Sequence, residues 1–446
     1  MLEQIKEKLT RAGIQFVRFQ YCDNANIVRA KAVPIDRLEH FSQYGVGLTK
    51  AAQAQPAMFD TVVANPVGLS PVGEVRLMPD WSSLQLLPYS TKHASVMCAM
   101  HDQGAMWEYC PRGFLNKMVA MAKDAGIELK MGQEFEFILL KHASEECTPS
   151  QPSDSCIYAE SMALDLSADI LERITESLSA QDIGVNLVHA ESAPGQFEIS
   201  LQHTDVLQCA DQNVWFRQTV KAIAAQSGFV ASFLPKPYEE SAGSGCHLNV
   251  SLWRKGKNIF CDPSKQYALS EEAQCFMAGV LCHLPAIMAV TAPSVNSYRR
   301  FLPHYWSGAF GSWGEQNREA ALRLAGFDQS PTRFELKTMD ASANPYLALG
   351  VVIAAGMDGV VNKMQLPPPC NQDPGLLSEQ QRKQRNIYRL PTTLFEALAE
   401  YKSNDMLKAS MGENLQQAFQ SVRQAEWDYI SGLSFDEEVK LLLNRY

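Results

Sequence analysis

Apolar and polar residues alternate along four short segments of the chain. The segments are MGQEFEFILL (131–140), GQFEISL (195–201), CHLNVSL (246–252) and RFELK (333–337). Side chains of a β-strand point alternately to the two faces of a sheet. We therefore predict four strands, each with an apolar face that packs on helices and a polar face that points the other way.

The polar faces of these strands carry side chains that bind metals and phosphates. They are Glu134 and Glu136 on the first strand, Gln196, Glu198 and Ser200 on the second, His247, Asn249 and Ser251 on the third, and Arg333, Glu335 and Lys337 on the fourth, with Glu191 just upstream of the second. A half-exposed strand with a wet face explains any single segment. Carboxylates gathered on one concave surface would instead need cations, because buried like charges repel. Oxygen-rich sites of this kind favour Mg²⁺ or Mn²⁺.

Helical periodicity dominates the remainder of the larger, C-terminal part. Helices are predicted at 165–181, 207–228, 269–290, 343–364 and in two stretches of the last 60 residues, with loops at 148–156 and 366–375. The segment CPRGFLNKMVAMAKDAG (110–126) begins a further helix, with Pro111 near its start.

The N-terminal part of the chain is predicted to contain mainly short strands, unlike the helix-rich C-terminal part. After a charged amphipathic helix in MLEQIKEKLTRAG, residues 14–105 are predicted to form short strands and turns, including a hairpin of IQFVRFQYCD with IVRAKAVP and a later strand, HASVMCAMHD. We place the domain boundary near residue 108, with a small β-rich domain at 1–107 and a large domain at 108–446. The large domain is predicted to be α/β or α+β, and we expect α+β as the fold class.

Composition narrows the function classes. The 446 residues are 46% hydrophobic and 20% charged, which is typical of a soluble globular protein with a sizeable core. The net charge of -10 argues against a general nucleic-acid binder. The longest apolar stretch is interrupted by Asp358 and predicts no membrane span. Eleven scattered cysteines without a CxxC pair, and an N-terminus without a secretory apolar region, favour reduced thiols in the cytoplasm.

A second group of candidate residues is basic. The segment 296–324 contains Arg299, Arg300, Arg318 and Arg323 among aromatic residues and glycines, and Arg333 follows it. A surface ion pair explains any one of these arginines. Together with the carboxylates, they favour metal ions bridging a polyphosphate, with guanidinium groups that neutralise charge during phosphoryl transfer. A P-loop motif is absent from the sequence, so a nucleotide would be held differently.

Several segments, in this order and spacing, resemble the glutamine synthetase superfamily. They are GQEFEF, HAESAPGQFEI, FLPKPYEESAGSGCHLNVSLW, NSYRRFLP, NREAALR and RFELKTMDASANPYLALGVVIAAGMDGV, and DNANIVRAKAVP resembles the start of the family's small N-terminal domain. The resemblance covers nearly the whole chain. It implies a small β-grasp-like N-terminal domain and a large catalytic domain, in which helices back a curved antiparallel sheet.

The resemblance also implies an activity and its residues. In this family ATP phosphorylates the side-chain carboxylate of glutamate, and an amine then displaces phosphate. One divalent ion (Mg²⁺ or Mn²⁺) would be held by Glu136, Glu191 and Glu198, and a second by Glu134, His247 and Glu335. ATP and its phosphates would meet Asn249, Ser251, Arg318, Arg323 and Arg333, of which Arg318 and Arg333 would be catalytic together with Glu335, whereas Gly243, Arg300, Trp306 and Lys337 would lie near the acid and amine substrates.

Three departures from the family pattern concern the substrates. The stretch GVGLTKAAQAQPAMFD (45–60) lacks the family's ammonium-binding aspartate, and the flap glutamate that helps deprotonate ammonium aligns with Trp306. A bulky ring there suits an organic amine, although a tryptophan that only closes the loop is an equal alternative. A family arginine that follows the last metal glutamate is Lys337 here, and lysine gives no bidentate clamp to a carboxylate.

The sequence therefore predicts an ATP- and Mg²⁺-dependent ligase that joins the γ-carboxyl of glutamate, or a close analogue, to an organic amine. This resembles γ-glutamylpolyamine synthetases and glutamate–methylamine ligases. An ammonia-using glutamine synthetase, a non-catalytic ring protein of the same family and a ligase with an unrelated acid remain alternatives. Family members form stacked rings, so a homo-oligomer, possibly a dodecamer, is expected, with small-molecule partners and neither nucleic acid nor membrane.

Overall fold

The computed structural model describes residues 2–141, 151–327 and 330–446. Its helices are α1 (Leu2–Arg11), α2 (Leu38–Tyr44), α3 (Pro111–Asp124), α4 (Ser161–Leu166), α5 (Ala168–Ser179), α6 (Val206–Gln226), α7 (Glu271–Thr291), α8 (Pro345–Val361), α9 (Glu379–Gln384), α10 (Leu394–Ser403), α11 (Asp405–Met411), α12 (Glu413–Ile430) and α13 (Phe435–Leu442). Its strands are β1 (Phe16–Cys22), β2 (Val28–Pro34), β3 (Val46–Thr49), β4 (Glu74–Pro79), β5 (Gln85–Leu86), β6 (His93–Asp102), β7 (Ala105–Met106), β8 (Glu128–Lys141), β9 (Val185–Ala190), β10 (Gln196–Leu201), β11 (Thr204–Asp205), β12 (Phe229–Ser232), β13 (Cys246–Arg254), β14 (Lys257–Asn258), β15 (Phe310–Glu315), β16 (Ala320–Phe327), β17 (Ser330–Leu336) and β18 (Tyr388–Arg389).

The N-terminal sheet has the order β2-β1-β6-β4-β3, and β5 and β7 pair with β6. Strands β1 and β2 form the predicted antiparallel hairpin, and β1 pairs in parallel with the predicted strand β6. Val17, Phe19 and Val96 are fully buried and belong to the core of this sheet. The prediction of strands and turns alone was incomplete here, because α2 lies between β2 and β3.

The larger sheet has the order β18-β15-β16-β17-β13-β8-β10-β9, with β11, β12 and β14 on side branches. Its pairs are antiparallel except β15 with β16. Helices α6 and α7 pack on this sheet, and α8 packs on both of these helices. The start of helix α8 is fixed by its N-cap residue, Asn344, whose side chain accepts hydrogen bonds from the backbone N–H groups of Tyr346 and Leu347. Pro345 occupies the first turn of the helix. The predicted α+β fold is confirmed.

Two helix predictions were too coarse. The predicted helix 165–181 is two helices, because Ser167 between α4 and α5 has a non-helical backbone. The last 60 residues contain four helices rather than two, because Asn404, Gly412 and Ser434 each stand at a cap position. The predicted loop 148–156 is described only from residue 151 onward, and its first residues lie outside the described part of the chain.

Helix α7 is long and apolar enough to cross a membrane. However, 78% of its most apolar window is buried inside the protein. Burial of this kind is typical of the core helix of a folded domain.

A loop of the N-terminal region, residues 23–26, inserts between elements of the C-terminal region. Asn26 donates to the carbonyl of Ala341 at 3.0 Å and accepts from Arg217 at 3.0 Å. Arg423 donates to the carbonyl of Asn24 at 2.8 Å. These groups are buried, so the two parts of the chain share one hydrogen-bonded interior. The predicted boundary near residue 108 falls between β7 and α3 and stays a prediction.

Candidate active site

Strands β17, β13, β8 and β10 are consecutive neighbours in the large sheet. Their register sets Glu335 opposite Asn249, His247 opposite Glu134, and Glu136 opposite Glu198. The four polar faces line one cavity of about 920 Å³. The apolar faces are buried on the other side, as predicted: the fully buried residues include Phe135, Phe137, Phe197, Leu248 and Phe334.

One cluster of metal-ligand side chains is centred on His247. Its Nδ1 lies 3.5 Å from Glu134 Oε2 and 3.3 Å from Glu335 Oε1. Ligand atoms of the three residues all lie within 4.8 Å of one another, a spacing that could hold a metal ion. The structure thus brings together the three residues expected around one ion.

A second cluster extends along β10 and β9. Glu136 and Glu198 lie within ligand spacing of His247, and Glu198 also groups with Glu191 and His189. His189 Nε2 lies 3.1 Å from Glu191 Oε1. Glu136, Glu191 and Glu198, the set expected around the other ion, therefore line one region but divide between two overlapping groups. His189 was missed, although it lies at the end of β9 and only two residues before Glu191.

Glu198 has the most perturbed ionisation of this region. Burial, followed by repulsion from Glu134, Glu136, Glu191 and Glu335, raises the pKa of Glu198 from 4.5 to about 10. Within the described residues, no side chain or backbone N–H donates a hydrogen bond to its carboxylate. A buried carboxylate surrounded by four others matches a cation site in which divalent ions neutralise the negative charge. The donor set, oxygen with imidazole and no sulfur, fits Mg²⁺ or Mn²⁺.

Glu335 is held in its charged form. Although burial opposes ionisation, Lys337, His247 and Arg323 lower the pKa of Glu335 to about 2. Arg323 Nη1 donates to Glu335 Oε2 at 2.7 Å, and Lys337 Nζ donates to Glu335 Oε1 at 3.2 Å. Lys337 is thereby engaged with a carboxylate of the protein, beside the cavity.

The three arginines that were expected to contact the phosphates of ATP line the same cavity. Arg333 Nε donates to Asn249 Oδ1 at 2.7 Å, and Asn249 in turn donates to Glu134 at 2.9 Å. Arg318 is exposed at the cavity wall and pairs with no carboxylate of the described residues. Arg318 and Arg333 therefore have guanidinium donors available for an anionic ligand, whereas Arg323 shares its charge with Glu335.

A flat aromatic surface lies near Ser251 at one end of the cavity. Trp253 donates to Ser251 Oγ at 2.8 Å, stacks on His203 with ring centroids 6.1 Å apart, and lies under Lys130 Nζ at 4.8 Å. All four residues line the cavity. His203 and Trp253 were not predicted, because their contact joins residues 50 positions apart in the sequence.

Arg300 and Gly243 lie together at another part of the wall. The Arg300 side chain is 5% exposed and donates to the carbonyl groups of Lys337 and Met339 at 3.0 and 2.8 Å. A Cβ atom on Gly243 would lie 2.7 Å from Arg300 Cβ and 2.7 Å from the Pro235 carbonyl oxygen. Only glycine fits this close approach, so backbone atoms of residue 243 border the cavity directly.

Residues 301–309, here called the flap, precede β15 and carry Trp306 to the cavity mouth. Trp306 is 51% exposed and has a positive φ of 54°. Its backbone N–H donates to Glu319 Oε1 at 3.0 Å, and its ring meets Tyr158 edge-on at 6.2 Å. Tyr305 and Tyr158 also line the cavity. The mouth is therefore aromatic on two sides.

Family comparison matches nearly the whole chain. The model for the glutamine synthetase N-terminal domain covers residues 3–106, and the model for the glutamine synthetase catalytic domain covers residues 108–441. The chain belongs to the glutamine synthetase family. Members of this family, this chain included, are ATP-dependent ligases.

Individual relatives agree with this assignment. The chain is 35% identical over 438 residues to gamma-glutamylpolyamine synthetase GlnA3 of Streptomyces coelicolor, covering 96% of this chain and 93% of the relative. It is 32% identical to the glutamine synthetase of Methanosarcina mazei, with the same two coverages. A solved GmaS/ADP complex superposes with a TM-score of 0.83 at 27% identity, covering 96% of this chain and 97% of that one.

Proposed function

We propose that this glutamine synthetase family protein joins the γ-carboxyl of glutamate, or of a close analogue, to an organic amine. The observation that carries the proposal is Trp306, an exposed ring that stands at the cavity mouth where the family's ammonium-handling glutamate would lie. The relationship to a gamma-glutamylpolyamine synthetase and the likeness to GmaS support an organic amine as acceptor.

The reaction has two balanced steps. A γ-carboxylate oxygen of the acid attacks the γ-phosphorus of ATP, so that ADP leaves and an acyl phosphate forms. The amine nitrogen then attacks the acyl carbon, the C–O bond to phosphate breaks, and a proton is lost from nitrogen. Bound divalent ions supply charge neutralisation on the transferring phosphoryl group.

The protein's own residues bind and orient the reactants. Glu134, His247 and Glu335 would hold one ion, while Glu136, Glu191 and Glu198 would hold the other. Arg318 and Arg333 would donate to the phosphoryl oxygens as charge shifts toward ADP, and Arg323 would do so beside Glu335. The surface of Trp253 and His203, with Ser251 and Asn249, suits the flat base and polar groups of a nucleotide.

Acid and amine would meet at the part of the cavity bordered by Arg300, Gly243 and the flap. Lys337 is bound to Glu335 at 3.2 Å, so a two-pronged clamp on the α-carboxylate from this position is not available. A close analogue of glutamate therefore stays compatible with the site. At the amine end, the ring faces of Trp306 and Tyr158 offer apolar and cation–π contacts to the body of an ammonium compound.

The deciding experiment measures phosphate release from ATP and Mg²⁺ across a grid of acids and amines that includes ammonia. We expect release that requires glutamate and increases strongly with one organic amine. Release that is as fast with ammonia as with any amine would contradict the role given to Trp306. Release that requires a different acid would contradict the glutamate assignment and leave the ligase assignment intact.

We extend the proposal to assembly and location. Two units, 1–107 and 108–446, would stack into rings of identical subunits, as family members typically do, with a neighbour's N-terminal unit beside each cavity. The ten cysteines of the described residues are free thiols, and eight of them are buried, which suits the reducing cytoplasm.

A further inference from the structure

The C-terminal helix α13 packs on the outer side of the turn that carries Arg300. Arg300 borders the cavity, whereas its neighbour Arg299 is directed to α13. The Arg299 guanidinium donates to both oxygens of Glu438, with Nε 3.0 Å from Oε1 and Nη2 2.8 Å from Oε2. It also lies 5.1 Å over the ring of Phe435. One turn is therefore clamped to α13 on one side and borders the cavity on the other.

The Glu438 carboxylate is also linked, through Asn296, to the segment that begins near Lys236. Asn296 donates to Glu438 Oε1 at 2.7 Å. The Asn296 side chain then brackets the backbone of Lys236, accepting from its N–H at 2.6 Å and donating to its carbonyl at 3.1 Å. Glu438 and Asn296 are 1% and 0% exposed, so water cannot easily replace these bonds. Glu438 is thus linked to the start of the segment that leads to Gly243.

Lys236 extends the connection to the flap. Its ammonium group donates to the carbonyl of Ser241 and lies 5.4 Å over the ring of Tyr305. The backbone N–H of Ser244 donates to the Pro235 carbonyl at 2.7 Å. Segment 235–245 is thereby folded back on itself beside the flap, so both are held relative to the turn at 296–300.

We propose that Glu438 is a positioning residue for the ligase reaction, an inference that rests on the proposed function of the cavity. Glu438 is not among the described residues that line the cavity. It acts by accepting hydrogen bonds from Arg299 Nε, Arg299 Nη2 and Asn296 Nδ2 in a buried place, where loss of Arg299 would leave its charge unpaired. Through this carboxylate, α13 sets the positions of Arg300, Gly243 and the flap against the acid and the amine.

The test is the variant Glu438→Gln. Its amide keeps the size of the glutamate side chain. However, its NH₂ group would face an N–H donor of Arg299 or Asn296, and it cannot accept the hydrogen bond that the carboxylate oxygen accepts there. Because small displacements of positioning groups cost up to about a hundredfold in rate, we expect KM for acid and amine to rise about tenfold, with KM for ATP unchanged. Hydrogen exchange of backbone amides in 235–245 and 301–309 should become faster.

Two further variants separate positioning from simple stability. Glu437→Ala removes the capping box at the start of α13, formed with Ser434, and should lower the melting temperature while leaving KM and exchange in the two segments unchanged. Arg299→Lys keeps the charge but loses the two-pronged contact, so it should change KM in the same direction as Glu438→Gln. It also keeps the inference testable if Glu438→Gln does not fold.

Wild-type KM and exchange rates in Glu438→Gln would overturn the inference without affecting the proposed function. A KM increase in Glu437→Ala equal to that in Glu438→Gln would also overturn it, because the stability of α13 would then be the cause. Failure of the wild-type protein to use any amine would contradict the proposed function instead. The exchange experiment would still decide whether Glu438 orders the two segments.

Discussion

At the scale of single residues, the cavity is dominated by unbalanced negative charge. Among the residues that the structure describes, five carboxylates line it, and two nearby cations, Arg323 and Lys337, are both engaged by Glu335. Glu198 is left with repulsion from its neighbours. Buried charge of this kind lowers folding stability unless ions or protons neutralise it. The residues that prepare the site for divalent ions therefore cost stability when ions are absent.

The variant Glu198→Gln tests this cost. In the presence of EDTA we expect it to melt at a higher temperature than the wild type, because glutamine is neutral without the free-energy cost of keeping a buried carboxyl group protonated above its unfolded pKa. The pKa of Glu198 is 4.5 in the unfolded chain, and burial raises it to about 10 in the folded protein. The ion-free wild type should therefore lose stability relative to the variant as pH rises between these values.

Addition of Mn²⁺ or Mg²⁺ should reverse the order. Ions that bind only the folded protein raise its melting temperature by mass action, and this rise should be smaller in Glu198→Gln because a ligand is missing. Glu176→Gln, on an exposed face of α5, serves as the matched control and should keep the full rise. An equal rise in both variants would contradict the metal-binding role of Glu198.

The flap residue Trp306 carries a separate prediction. Trp306→Ala removes the aromatic wall of the cavity mouth, while its backbone bond to Glu319 can persist. We expect KM for the preferred organic amine to rise about ten- to a hundredfold, in proportion to about 1–3 kcal/mol of lost ring contact, with KM for ATP unchanged. Steady-state kinetics with the amine and with ammonia provide the measurement. Unchanged amine preference would reduce Trp306 to a packing residue.

At the scale of the elements, the period-2 alternation was a sound basis for prediction. It indicated four strands whose glutamates and histidine share a face, and the sheet sets those strands side by side. Contacts such as His189 with Glu198, or His203 with Trp253, were not predictable in the same way. They depend on strand order and register, which the sequence of a single strand does not contain. The helix at 165–181 was predicted as one because the apolar period continues through Ser167, where the backbone breaks.

The α7–α8 contact illustrates another feature that periodicity does not show. A Cβ atom on Gly279 of α7 would lie 2.7 Å from the Gly359 backbone nitrogen of α8. The two helices thus approach each other through glycines. We expect Gly279→Ala to destabilise the protein by about 1–3 kcal/mol, because the helices must separate to admit the methyl group.

Denaturant unfolding at fixed protein concentration measures this effect. Gly432→Ala is the matched control, because a Cβ there meets nothing within 4 Å and should leave stability within about 1 kcal/mol of the wild type. A stability of Gly279→Ala equal to that of Gly432→Ala would show that α7 and α8 can move apart at little cost.

At the scale of the whole molecule, the pair Arg423–Glu426 joins α12 to the N-terminal region. Arg423 Nη1 donates to Glu426 Oε2 at 2.7 Å, and both side chains are at most 3% exposed. Glu426 Oε1 accepts from the backbone N–H of Ala57 at 2.8 Å. The pair therefore satisfies backbone groups of one region with side chains of the other.

Arg423→Met should destabilise the protein by about 3–5 kcal/mol, because the Glu426 charge stays buried without its partner. Adding Glu426→Gln should recover part of this loss, since the amide oxygen still accepts from Ala57. A double-mutant cycle from denaturant unfolding gives the coupling energy. Arg11→Met, which removes an exposed ion pair with Glu7, should change stability by less than about 1 kcal/mol. Additive effects of the two buried substitutions would contradict the coupling.

The insertion of residues 23–26 into the C-terminal region bears on how relatives of this protein can be recombined. The partners of this loop in the C-terminal region include Arg217, Asn344 and Tyr446, which lie far apart in the sequence. A chimera that exchanges residues 1–107 for those of a relative would place the relative's loop among the C-terminal residues of this protein that bind residues 23–26. Such an exchange will yield a folded enzyme only when the receiving residues are transplanted together with the domain, so natural recombination at this seam should be rare.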